Sequence, residues 1–207
     1  MYWSEFLTIA FIHLLAVASP GPDFAVVVRE SVLGGRRTGL FTTLGIGSGI
    51  FVHVGYSLLG IGLIVSQSIL LFSLLKWLAA AYLLYIGIQA LRARPAQAQP
   101  VEGETHTRTA RSAFIQGFLT NALNPKATLF FLALFTVVIN PHTPLPVQLG
   151  YGLYVALATT VWFTLVTLLF SQPRVRAWFT RLGHWFDRVT GAVLVGLGIK
   201  LAFTQLR

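Results

Sequence analysis

The sequence contains no cysteine among its 207 residues. That excludes a disulfide framework, a thiolate metal site and a cysteine nucleophile. Charge is also scarce: Asp, Glu, Lys and Arg make up 10% of the chain, where a soluble domain carries roughly 25%. Hydrophobic residues reach 55% and mean hydropathy is +0.73. Such a chain cannot cover a water-facing surface with polar groups, and a bilayer does not ask it to. Acid is scarcest of all, with six Asp and Glu against fifteen Lys and Arg and a formal charge of +9. The basic residues lie between apolar runs, where topology signals belong, so nucleic-acid binding is not expected. No zinc-ligand spacing, phosphate loop or serine nucleophile elbow is found, and the five histidines are scattered. Neither a metal nor a cofactor is expected. The opening Met1-Tyr2-Trp3-Ser4-Glu5 lacks the basic region of a cleavable signal peptide, so the first apolar run is expected to stay.

Long apolar runs are what the chain does have. A hydrocarbon core of about 30 Å needs roughly 20 apolar residues per helix. Six stretches qualify, at about 6–28, 40–65, 69–91, 113–139, 147–171 and 189–206. The expected fold class is all-α: a polytopic membrane protein of six transmembrane helices forming one domain, 1–207. Arginine supports that count. Eleven arginines fall in the connections 29–39, 92–112 and 172–188, while the connections at 66–68 and 140–146 hold no Lys or Arg. The positive-inside rule then places both termini outside and those three loops in the cytoplasm. The stretch 92–112, with Pro95, Pro100, Glu102 and Glu104, reads as a flexible linker. In 174–187 Trp178, Phe179, Leu182, Trp185 and Phe186 recur at helical spacing among Arg174, Arg181 and, just after it, Arg188, which suits an interfacial helix at the lipid surface; an irregular loop with aromatic-belt residues is the plainer alternative.

Two spans are interrupted. The first contains Ser19-Pro20-Gly21-Pro22-Asp23 and the fourth Asn121-Ala122-Leu123-Asn124-Pro125-Lys126. Each proline removes a donor and crowds the carbonyl four residues back, so neither helix can stay regular. Irregular backbone at membrane depth survives only where protein buries it or a wet cavity meets it. Helices one and four hold matching places in two halves of three spans. With an odd number of spans per half, such a repeat is inverted.

The breaks carry the chemistry. Asp23 is the acid well inside an apolar span, and Lys126 lies too deep for easy snorkelling. A charge at the bilayer centre costs at least about 2.5–3.5 kcal/mol, so such residues pair or line a pathway. We expect Asp23 and Lys126 to face one interior site, with Ser19, Asn121 and Asn124 beside them and Pro20, Gly21, Pro22 and Pro125 as helix breaks. A zwitterion fits: Lys126 or broken-helix amides toward a carboxylate, Asp23 and freed carbonyls toward an ammonium. Asp23 as the site of a coupling proton is the competing role. An inert ion pair between kinked helices is the plainer alternative. His53, midway along helix two, is a candidate proton relay or simply a packing residue; for His13 packing is the stronger reading. The glycines around Gly45-Ile46-Gly47-Ser48-Gly49 suit close helix packing or a homodimer contact.

These segments together resemble the LysE/RhtB family of bacterial amino-acid exporters, over nearly the whole chain. The resemblance implies efflux of amino acids driven by the proton gradient, as an antiporter in the bacterial inner membrane, with the amino acid and the lipid bilayer as its partners. One buried acid gives little support for a dibasic substrate, so a neutral amino acid such as threonine or homoserine is favoured over a basic one or another small solute. From other classes stand a non-transporting membrane subunit and a membrane-embedded enzyme. Intramembrane acid chemistry usually needs a second carboxylate or a base, so an enzyme is not expected.

Overall fold

The computed structural model describes residues 2–67, 69–92, 108–140 and 142–172, with scattered positions between 175 and 203. Most of the expected linker 92–112, most of the expected interfacial helix 174–187 and half of the expected sixth span lie outside the described residues. The described elements are helical throughout: α1 (Trp3–Ala18), α2 (Pro22–Leu33), α3 (Gly35–Gln67), α4 (Ile69–Leu91), α5 (Ala110–Ala122), α6 (Pro125–Ala133), a π-helical turn (Leu134–Val138) and α7 (Leu145–Phe170). Two segments among them, Gly35–Leu59 and Leu145–Phe170, are long and apolar enough to cross a membrane. The pair α1 and α2, bent by 54°, makes a third if it is one span.

The burial pattern is that of a membrane protein. Along α7, Leu145, Leu149, Leu153, Leu157, Val161 and Leu165 are exposed, while Thr159 and Thr167 are buried. Leucine outward and hydroxyl inward reverses the soluble pattern, and lipid is the solvent that favours it. Some buried hydroxyls are satisfied within their own helices: Ser31 donates to the Val27 carbonyl at 2.6 Å and Thr42 to the Thr38 carbonyl at 3.0 Å.

Small residues set the packing. Gly45 and Gly49 of α3 lie against α5, where a Cβ on Gly45 would strike the Phe114 carbonyl and one on Gly49 would come within 2.7 Å of Asn121 Oδ1. Gly117 of α5 meets the Thr42 carbonyl in return, and Gly47 faces Thr160 and Ala156 of α7. Only glycine lets backbones approach this closely. The glycine run therefore packs α3 inside the chain on two sides. On α4, Gly87 lies against Gly191 and Val195, and Gly198 against Leu84.

The helix ends differ from the expected loop at 29–39. There α2 continues to Leu33 and α3 starts at Gly35, so the joint shrinks to Gly34. Gly35, at φ 77°, takes the backbone conformation that side chains disfavour. Basic residues mark where lipid ends, and a helix can run on past that level. Two apolar clusters form the core. One gathers Ile9, Ile50, Phe130, Phe131, Ile139 and Tyr151; the other gathers Phe24, Val27, Ile46, Phe163 and Phe170.

Candidate functional site

Both expected breaks are present. The first separates α1 from α2. Ser19 turns extended, with φ −67° and ψ 126°, and Gly21 caps α2 with no side-chain hydrogen bond. Pro22 and Asp23 then open α2, where Pro costs nothing because its missing N–H would lack a partner anyway. The Ser19 carbonyl accepts from Lys126 Nζ at 2.7 Å. Gly21 leaves room for that lysine: a Cβ there would sit 3.3 Å from Lys126 Cδ.

The second break separates α5 from α6. Asn124 caps α6, its Oδ1 accepting from the Lys126 backbone N–H at 2.9 Å. Pro125 cannot donate to the Asn121 carbonyl. That carbonyl instead accepts from the Asn124 N–H at 2.8 Å and from His53 Nε2 at 2.9 Å. A carbonyl only accepts, so Nε2 carries the proton. Nδ1 of a neutral ring then accepts from the Tyr56 hydroxyl at 2.8 Å. That hydroxyl also lies 3.3 Å from the Thr128 carbonyl. The His53 ring stacks on Phe131 with centroids 5.3 Å apart. His53 reaches Asp23 only through Asn121, whose Nδ2 donates to Asp23 Oδ2 at 2.8 Å.

The two breaks meet at one cavity. Ser19, Gly21, Asp23, Asn121, Asn124 and Lys126 all line it, and its empty volume, mouth included, is about 480 Å³. The cavity lies between the two apolar clusters: Ile50, Phe130 and Phe131 wall one side, Phe24 and Phe163 the other. Asp23 Oδ1 is buried and has no hydrogen-bond partner.

Sequence reasoning undervalued three groups. His13 and Thr159 line the same cavity, with His13 Nε2 and Thr159 Oγ1 2.9 Å apart. Glu30, beyond the expected end of the first span, is fully buried and ion-paired to Arg29 at 3.0 Å and to Arg108 at 3.3 Å. Glu5 accepts from the Asn140 N–H at 2.8 Å and from the Tyr151 hydroxyl at 3.0 Å. The broken unit α1–α2 is thus tied at its start to the segment after α6, and at its end to the segment before α5. The two broken units run in opposite directions, clasped at both ends around the cavity. A lone Glu beside Arg at the edge of an apolar run gives no sequence signal of such a clasp.

Comparison with known proteins finds relatives along nearly the whole chain. The family model described as LysE type translocator matches residues 14–205. The threonine efflux protein of Escherichia coli K12 is 34% identical over 203 residues, covering 97% of this chain and 98% of that protein. The threonine efflux protein of Salmonella typhimurium LT2 is 33% identical over 202 residues, with the same coverage. An uncharacterized membrane protein of Vibrio cholerae is 31% identical over 214 residues, covering 97% of this chain and 96% of that protein. No solved structure matches. The extent of these matches and the paired helix breaks lead to one conclusion: the chain belongs to the family of LysE type translocators.

Proposed function

We propose that the chain is a secondary transporter that exports a neutral amino acid from the cytoplasm in exchange for protons. In this reading it crosses the bacterial inner membrane six times, as two inverted halves, with both termini outside. Family membership and the efflux function in the names of its relatives support amino-acid export. The opposed direction of the two broken units supports the inverted repeat.

The observation that carries the reading is Asp23 Oδ1, a buried acceptor without a donor at the edge of the cavity. The partner it lacks is a donor: a substrate ammonium or a proton. Lys126 Nζ, bonded to the Ser19 carbonyl, is the cation nearest the same space for a substrate carboxylate. One carboxylate that holds either an ammonium or a proton, and never both, couples two opposed fluxes. The substrate ammonium leaves with Asp23 ionised, and a proton taken on Asp23 neutralises it for the return. The energy comes from the proton gradient, and no cofactor is needed. Asp23 is the sole acid lining the cavity among the described residues, so a second cationic group on a dibasic substrate would go unpaired.

The test is counterflow in proteoliposomes holding only this protein, with a panel of labelled amino acids. Exchange of neutral amino acids is expected and is lost in Asp23→Asn, and an imposed opposing pH gradient is expected to drive net uptake. Absence of exchange for every amino acid would overturn the exporter reading. Net uptake indifferent to the gradient would overturn antiport alone.

A further inference from the structure

The cavity lining is of two chemical kinds. The helix breaks supply charge and amide groups. The rest is aromatic and aliphatic, with Phe24, Phe130 and Phe163, except for one polar pair, His13 and Thr159. That pair is held by helices far apart in sequence, α1 and α7, and both residues are buried. A threonine hydroxyl has one donor and two acceptor positions. His13 Nε2 occupies one of them, whichever way the proton points. Thr159 lines the cavity, and among the described residues Oγ1 makes no other hydrogen bond, so its remaining positions are left for a ligand.

We propose that Thr159, oriented by His13, reads a side-chain hydroxyl on the exported amino acid. The substrate class is then a short hydroxylated amino acid, with its ammonium and carboxylate at the helix breaks and its hydroxyl at Thr159. This rests on the exporter reading given above and assigns the specificity of that same cavity. A site that hydrogen-bonds a hydroxyl rejects the analogue without one, because its own polar group is left bare. Thr159 determines specificity by direct contact, and His13 is a positioning residue.

Threonine and valine form the probe pair, since they differ by a hydroxyl in place of a methyl. Counterflow in proteoliposomes measures the ratio of labelled threonine to labelled valine exchange for each protein. The wild type is expected to favour threonine by at least about tenfold. Thr159→Val removes that preference, Thr159→Ser keeps most of it, and His13→Leu falls between. Because the readout is a ratio within one preparation, lower yield of a variant does not alter it. An unchanged ratio in Thr159→Val overturns the proposal. So does a wild type that exchanges both at equal rates, a result obtained without any variant. A wild type that exchanges no amino acid at all instead removes the exporter reading beneath it.

Discussion

The two helix breaks meet the same difficulty by opposite means. The second, at Leu123-Asn124, closes on itself: Asn124 caps α6, its own N–H reaches the Asn121 carbonyl, and His53 comes from α3 to share that carbonyl. The first, at Ser19-Pro20-Gly21, has a glycine cap without a side-chain hydrogen bond, and its Ser19 carbonyl is met from the second break by Lys126. A break that satisfies its own backbone is fixed by local chemistry. A break satisfied by a distant lysine is only as fixed as that lysine. In the proposed function a substrate carboxylate would share Lys126 Nζ with the Ser19 carbonyl, so the first break is the one whose bonding a ligand would touch.

The contrast can be broken most forcefully at Lys126. Lys126→Ala is expected to cut counterflow at least about 30-fold, the effect of removing one member of a buried charged hydrogen bond worth about 2 kcal/mol or more. Amide exchange sharpens it. In that variant the Ala25 N–H, which bonds the Gly21 carbonyl, should exchange faster, while the Thr128 N–H, which bonds Asn124, should not. Equal loosening of both amides would erase the distinction between the breaks. Next in size is His53→Phe, which preserves an aromatic ring against Phe131 but orphans one bond to the Asn121 carbonyl. A loss of about 1–3 kcal/mol of stability is expected, read from thermal melts in detergent. Asn124→Ala removes only the cap and should cost about 1 kcal/mol in the same measurement. The smallest effect belongs to Gly21→Ala. Its φ of −169° is open to any residue, and the contact it makes is with the flexible stem of Lys126. A change in melting stability within about 0.5 kcal/mol is expected, with a modest slowing of counterflow as Lys126 is displaced.

Proline made the breaks legible in the sequence, because a missing N–H has no remedy inside a helix. Asp23, Lys126, Asn121, Asn124 and Ser19 could be grouped from their positions at those breaks, and the cavity brings all five together. What could not be read was pairing at a distance. His13 and Thr159 are separated by 146 positions, and each alone resembles an ordinary core residue. Glu30 lies beyond the expected end of the first span, and packing buries it against two arginines. The helix ends were misplaced for a related reason: composition reports the thickness of lipid, and hydrogen bonding decides where a helix stops. The role of the α3 glycines also needed coordinates, since a small residue invites a neighbour without saying which.

The placement of the cavity between two greasy clusters has an electrical consequence. In a membrane the resting voltage drops mainly across dry, low-dielectric material and little across wet space. Here it would be divided between the two aromatic plugs, with the chamber at an intermediate potential. An elementary charge crossing the full membrane exchanges about 2.3 kcal/mol per 100 mV, so a net charge leaving the chamber through one plug exchanges only a fraction of that. In the proposed export cycle each half would then carry its own share of the voltage dependence, set by the apolar cluster on that side of the chamber.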